Sequence, residues 1–397
     1  MATKPEEYQN FFVTVGGNEG QKCHYPTRLD TYGCGCGHNC SYCYAKEILS
    51  GHGRWNPHNP AVVNLHKVES TLQQLNKGCI LRFGGMTDCF QPAELEHRAT
   101  LETIKLCNKY RIGYLLVTKS HHVADDEYME VYDKELAHIQ VSITTTDDAL
   151  SATYEQASVP SKRIAAIEKL AAAGFDTQIR LSPYINGYID WKIFNAIKCK
   201  KVLVEFLRAS TKIKKWFPID YSLYTVEQDG YWQMPLEEKL KVLKNIKGKR
   251  VTVCDDNTDH YAYWRDNFNP NPDDCCDLRH PKGVKVGPKV VIEKRGRVCV
   301  FTVTFADGFK VEEPKATLAF VNAIRHAGLE KIAATGKMVS GEPLVNKTRH
   351  AKYPDASYET PEGYWIQTHS STNSKVRMLE KLFAEAGVDA KIELKEK

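Results

Sequence analysis

The chain has 397 residues, 42% of them apolar and 26% charged, the balance of a globular protein with a sizeable core. A net charge of +5 is too mild to imply a polyanionic partner by itself, and no run of about 18 apolar residues offers a membrane span. The N-terminus lacks the apolar stretch of an export signal, so the 13 cysteines read as reduced cytoplasmic thiols, open to metals rather than paired.

Residues 1–30 are polar and aromatic, broken by Gly16-Gly17 and Pro26, and read as an N-terminal arm. The stretch from Tyr32 to Tyr44 follows and contains Cys36-x3-Cys40-x2-Cys43 among small and polar residues. Gly51, Gly53, Pro57 and Pro60 predict a loop over 46–60. Beyond it, short apolar runs alternate with helical stretches. Strands are predicted at 79–83, 114–118, 139–144, 177–181, 202–206 and 250–254. Helices are predicted at 94–108, 124–132, 162–173, 191–197 and 236–246, the last after a polar connection that runs to Gln233. Repeated strand–helix units predict an α/β fold with a parallel sheet, open or closed into a barrel. In such folds ligands bind at the carboxyl ends of the strands. Those ends carry Gly84-Gly85-Met86-Thr87-Asp88, Thr118-Lys119-Ser120, Ser142, Arg180 with Ser182, Glu205, and Cys254-Asp255-Asp256.

Residues 257–284 are a Cys- and aromatic-rich connection, with Tyr261, Tyr263, Trp264 and Phe268 ahead of Cys275-Cys276. Residues 285–397 read as an α+β appendage. Its predicted elements are a hairpin (298–304 with 309–311), helices at 315–326 and 374–386, and strands at 364–367 and 390–394. Ser371 or Thr372 reads as the cap of the second helix. The implied division is an arm (1–30), the main α/β domain (31–256), the connection, and the appendage.

Three thiols within eight residues can fold around one inorganic cluster. A cube held by three cysteines keeps one iron open for a small molecule. Zinc is the competing reading, with Cys34 or His38 as the fourth ligand. The motif, with Tyr42 just before its last cysteine, resembles the signature of the radical S-adenosylmethionine superfamily. The chain looks most like that superfamily's spore photoproduct lyase branch. The residues that carry this are Cys40-Ser41-Tyr42-Cys43-Tyr44, Arg82-Phe83-Gly84-Gly85-Met86-Thr87-Asp88, Thr118-Lys119-Ser120 and Val141-Ser142-Ile143, and more weakly Glu155 through Arg163 to Gly174.

The resemblance implies a partial (β/α)6 barrel over 31–256 and two cofactors, a [4Fe-4S] cluster on Cys36, Cys40 and Cys43, and S-adenosylmethionine. It implies reductive cleavage of S-adenosylmethionine to a 5′-deoxyadenosyl radical that abstracts hydrogen, with an external electron donor of flavodoxin or ferredoxin type. Gly84 and Gly85 would approach the methionyl amino group, Lys119 its carboxylate, Ser142 the methionine moiety and Tyr42 the adenine. Arg180 would meet an anionic part of cofactor or substrate, or pair with Glu205. Asp88 and Cys89 are the candidate catalytic residues. The lyases place a hydrogen-donor cysteine shortly before the Asp that matches Asp88; here that place holds Gly85 and Met86, and Cys89 follows instead.

Cys254, Cys275 and Cys276 form a second group, read as a second metal site, a thiol relay, or buried structural cysteines. Arg279, Lys282, Lys285, Lys289, Lys294, Arg295 and Arg297 make a basic stretch that would suit a phosphate backbone or a solvated linker. Three functions follow: radical chemistry on a nucleic acid or nucleotide, the same chemistry on a peptide or small metabolite, and a zinc-stabilised nucleic-acid-binding module without catalysis.

Overall fold

Short runs rich in Val, Ile and Leu, apolar on both faces, are what a covered parallel sheet requires, and they form one here. The computed structural model describes residues 5–16, 22–279, 299–339, 341–351 and 353–396. They fall into two compact units, Met1–Glu293 and Lys294–Lys397.

The first unit is built on an eight-stranded sheet. Its strands are β1 (Phe12–Thr14), β2 (Thr27–Leu29), β3 (Ile80–Phe83), β4 (Gly113–Thr118), β5 (Ala137–Ile143), β6 (Asp176–Tyr184), β7 (Lys201–Phe206) and β8 (Arg250–Val253), in that spatial order. β1 runs antiparallel to β2, and every later neighbour is parallel. The six predicted strands are therefore joined by Thr27–Leu29, with Arg28 opposite Arg82. Strand period sorts the side chains into two faces. Leu81, Phe83, Leu116, Val202 and Val204 pack outward into the main core beneath the helices. Ile80, Leu115, Val117 and Leu203 turn to the other face, against Tyr25, Cys275, Cys276 and Leu278.

Several elements differ from the sequence expectation. The predicted helix at 94–108 is two helices, Pro92–His97 and Ala99–Tyr110, divided at Arg98 with φ of 54°. Glu94 explains the division: its buried carboxylate accepts from Thr100 N (2.8 Å) and Leu101 N (3.0 Å) and so caps the second helix. The 46–60 loop opens with a helix, Tyr44–Gly51, whose cap is the Cys43 sulfur accepting from Lys46 N. The 124–132 segment is a short turn, His121–Ala124, and a four-residue helix, Asp126–Met129. The polar connection holds a helix, Thr211–Trp216, and a hairpin of Val226–Gln228 with Tyr231–Gln233. The aromatic connection contains the helix Thr258–Asn267, which buries Trp264 completely.

In the second unit Cys299–Phe305 pairs antiparallel with both Lys310–Glu312 and Ala390–Glu396. Helices Ala316–Ala327 and Thr372–Ala386 share a core with this sheet through Phe301, Val303, Phe320, Ile324, Leu379 and Leu382. Ser371 caps the second of them, accepting from Ser374 N. Helix Leu329–Ala334 and a small sheet of Val345–Asn346, Trp365–Gln367 and Ser357–Glu359 complete the unit. Of the basic stretch, Lys282, Lys285, Lys289, Lys294, Arg295 and Arg297 lie outside the described residues. Arg279 is described, and its guanidinium donates to the Lys134 carbonyl (2.8 Å). Among the described residues no helix is long and apolar enough to cross a membrane.

Candidate functional site

The carboxyl ends of the strands open on one cavity of 380 Å³. Cys36, Cys40 and Cys43 line it, together with Gly84, Gly85, Asp88, Lys119, Ser142, Arg180 and Cys254. Tyr42 also reaches the wall.

A loop of Gly and Cys has no packing of its own, so its neighbours fix it. Gln91, fully buried, accepts from Gly37 N (2.8 Å) and donates to the Gly35 carbonyl (3.3 Å). Ser41 N donates to the Tyr154 carbonyl (2.9 Å), and Gln156 N to the His38 carbonyl (2.7 Å). At Gly35 a Cβ would lie 1.9 Å from the Asn56 carbonyl oxygen, so only glycine fits. Burial, and then the Asp88 carboxylate, push the Cys36 thiol up to about 12. Burial and Glu155 push the Cys40 thiol up as well, against the pull of Lys119. Buried thiols beside carboxylates ionise only when a cation joins them. Cys36 and Cys40 fit an iron–sulfur cluster in that respect, and Cys43 shares their cavity wall. Cys34 does not line the cavity.

The strand-end turn after β3 is held from β2. Asp30 accepts from Gly85 N (2.7 Å) and Met86 N (3.2 Å). Burial raises its carboxyl to about 6, in spite of those two N–H groups and Arg28. Gly84 has φ of 81°, and a Cβ there would lie 2.3 Å from the Val117 carbonyl oxygen. The Tyr44 hydroxyl donates to the Gly85 carbonyl and ties the turn to the helix after the cysteine loop.

Asp88 joins three elements. Its carboxylate accepts from the Thr118 hydroxyl (2.6 Å), Lys119 N (2.7 Å) and Phe90 N (2.8 Å), with His38 Nδ1 at 3.3 Å. Burial alone would raise this carboxyl, but His38, Thr118 and Lys119 N–H hold it at about 2. Lys119 Nζ stands 5.6 Å from the centre of the Tyr42 ring. The Tyr42 hydroxyl donates to Glu155 (2.6 Å), and Glu155 pairs with Arg163 (2.7 Å) in a bridge with no solvent exposure. Arg163 also donates to the Ser142 carbonyl (3.1 Å). Burial pushes the Glu155 carboxyl up, yet Arg163, Lys119 and Tyr42 keep it below its ordinary value.

Arg180 faces the cavity with both terminal nitrogens engaged, one on Gln140 (2.7 Å) and one on Glu205 (2.6 Å). Cys89 is 1% exposed and lies behind the turn, outside the cavity lining, its carbonyl accepting from the Thr100 hydroxyl. Cys254 reaches the wall, whereas Cys275 and Cys276 sit in the apolar pack, with Cys23 partly buried against it. The Cys275 thiol is pushed up by its contacts with Cys254 and Cys276, and Cys276 is lowered by its hydrogen bond with Cys275. Among the described residues no three of His, Cys, Asp and Glu gather around a point that one ion could occupy.

Sequence reasoning missed Asp30, Tyr44 and Cys23. The first two act through hydrogen bonds to the Gly84-Gly85 turn. Asp30 follows the strand Thr27–Leu29 directly, and recognising that strand would have exposed it.

The model of the Radical SAM superfamily matches residues 31–198. No curated protein matches the chain. Among solved structures, spore photoproduct lyase complexed with dinucleoside spore photoproduct is similar at 16% identity and a TM-score of 0.47, over 62% of this chain and 81% of that one. SuiB of Streptococcus suis bound to S-adenosylmethionine is similar at 12% identity and a TM-score of 0.35, over 60% of this chain and 53% of that one.

Proposed function

From the premise that residues 31–198 are a radical SAM domain, we propose that the protein reductively cleaves S-adenosylmethionine and abstracts hydrogen from a nucleotide or nucleic-acid substrate. The observation that carries the reading is the meeting of Cys36, Cys40 and Cys43 with Gly84, Gly85, Lys119 and Ser142 on one cavity wall. Cys36, Cys40 and Cys43 would hold the cluster, and cluster and S-adenosylmethionine together supply a 5′-deoxyadenosyl radical when an external flavodoxin or ferredoxin gives one electron.

The chain's own residues position and shield. Asp30 fixes the Gly84-Gly85 turn for the methionyl amino group. Asp88 anchors the Lys119 backbone, so that its ammonium serves the methionyl carboxylate. Glu155 and Arg163 set Tyr42 and the Ser142 carbonyl. The rest of the wall supports a nucleotide. Tyr44, Tyr231 and Tyr261 line it beside Lys22, Arg82 and Arg208, and rings with cations are what stacked bases and phosphates bind.

The test is anaerobic reconstitution with iron and sulfide, then reduction with S-adenosylmethionine present. The expected results are a brown protein that bleaches on reduction, 5′-deoxyadenosine as product, and deuterium in it from a deuterated nucleotide or oligonucleotide. A colourless zinc protein would sink the enzyme reading. Deuterium arriving only from a peptide would move the substrate to that class.

A further inference from the structure

Below the cavity mouth the inner face of the sheet sets polar side chains beside the apolar Ile80, Leu115, Val117 and Leu203. Nearly every charged group there is matched. Gln140 donates to Gln178 (2.7 Å), and Arg180 donates to Gln140 and Glu205. Ser182 donates to Glu205 (2.7 Å). Arg208 pairs with Asp256, and Lys239 with Asp255. Arg82 is the exception. It lines the cavity from β3, its Nε is buried with no hydrogen-bond partner, and no carboxylate among the described residues forms an ion pair with it. Glu205 and Asp30 are the carboxylates near it, and both are already taken, Glu205 by Arg180 and Ser182 and Asp30 by the Gly85 and Met86 N–H groups. Three guanidinium groups, those of Arg180, Arg82 and Arg208, therefore crowd Glu205.

A buried guanidinium nitrogen without a partner is costly, and its fork of donors fits two oxygens of one oxyanion. Arg82 precedes Gly84 by two residues, so its Cα lies roughly 7 Å along β3 from the turn that would meet the cofactor. Its guanidinium is flanked by Glu205 and by Tyr44, whose hydroxyl bonds the Gly85 carbonyl, so a group bound on Arg82 lies beside that turn. We propose that Arg82 receives an oxyanion of the substrate, a phosphate or a carboxylate, and so decides which end of the substrate faces the 5′-carbon. The inference rests on the cavity being the reaction chamber. Cys23 and Cys276 also border Arg82. Cys23 is pushed up to about 11 by burial and so supplies no counter-charge at neutral pH. Cys276 is the internal competitor.

The test uses reconstituted protein loaded with S-adenosylmethionine, with inorganic phosphate and acetate as probes. Phenylglyoxal labelling is followed by peptide mass spectrometry, and phosphate binding by 31P line broadening. Arg82 should label, and saturating phosphate or acetate should slow that labelling about fivefold or more while S-adenosylmethionine stays bound. Arg82→Met should weaken phosphate at least about tenfold and Arg82→Lys less, because a charge-assisted hydrogen bond is lost in the first and kept in the second. The tighter probe names the substrate's group. Unchanged labelling, displacement of S-adenosylmethionine by phosphate, or wild-type phosphate binding in Arg82→Met would each overturn the inference. A Cys276 thiolate already paired with Arg82 would give the first of these. Because the labelling needs no turnover, 5′-deoxyadenosine formation reports separately on the radical reading.

Discussion

Gly84→Ala tests the cofactor turn most directly, because Gly53→Ala isolates one of its two costs. Gly84 has φ of 81° and Gly53 has φ of 65°, so alanine meets left-handed backbone at both. That term is roughly 1–2 kcal/mol. A Cβ on Gly53 has nothing within 4 Å, whereas one on Gly84 would lie 2.3 Å from the Val117 carbonyl oxygen. Ordinary contact needs about 1 Å more, and forcing turn and strand apart adds roughly 1–3 kcal/mol. Gly53→Ala should therefore cost about 1 kcal/mol and Gly84→Ala about 3. Urea unfolding followed by tryptophan fluorescence reads this well, since Trp55, Trp191, Trp216, Trp232 and Trp264 all belong to the first unit. Equilibrium dialysis adds the functional arm. S-adenosylmethionine affinity should fall about tenfold in Gly84→Ala, for a loss of about 1.4 kcal/mol, and stay unchanged in Gly53→Ala. The reasoning fails if the two variants unfold alike, or if Gly84→Ala binds S-adenosylmethionine within twofold of wild type.

Burial raises the Asp30 carboxyl from 3.8 to about 6, so the folded protein keeps a proton that the unfolded chain releases. This group's stability contribution is full below pH 4 and is lost as pH rises through 6, by about 3 kcal/mol; urea midpoints at pH 4.5, 5.5 and 7 should show a shallower decline in Asp30→Asn. Glu155→Gln leaves Arg163 charged and buried, so it should cost roughly 3–5 kcal/mol in the same assay. Cys34→Ala should keep the iron and the 5′-deoxyadenosine yield, whereas alanine at Cys36, Cys40 or Cys43 should lose both by iron assay and chromatography.

The central strands were legible because a sheet covered on both faces makes its sequence apolar at successive positions, as in Leu115-Leu116-Val117 and Val202-Leu203-Val204. β1 and β2 were not, since three residues leave no period to read. The helix Tyr44–Gly51 was hidden by its own cap, as Cys43 reads first as a metal ligand and Gly51 and Gly53 read as loop. The break at Arg98 depends on Glu94, whose carboxylate is held by Tyr32 and Tyr128 from distant elements. No local propensity records a contact of that kind. The cavity wall fared better, because strand-end position alone selected Gly84, Lys119, Ser142 and Arg180. The rule could not say which arginine was unmatched. Of the two roles open to Arg180 the structure shows the pair with Glu205, together with Gln140, while Arg82, inside a strand, keeps a buried Nε without a hydrogen-bond partner.

The arrangement also explains why the cysteine motif needs so much chain around it. Three buried carboxylates join the loop region to three successive strand ends. Asp30 holds the turn after β3, Asp88 ties His38 to the end of β4, and Glu155 ties Tyr42 through Arg163 to Ser142 on β5. The Asp30 and Glu155 links are hydrogen bonds to carboxylates, whose length and direction are narrowly set, and the His38–Asp88 link is a close approach of 3.3 Å. A cluster bound on the loop would therefore be registered against the strand ends to within a hydrogen bond's tolerance, although the loop from Gly35 to Tyr42 has no regular structure. None of these links runs to the part of the wall formed by Arg180, Glu205 and Arg208, which is free to differ. Substrate choice can thus change there without disturbing the cofactor side.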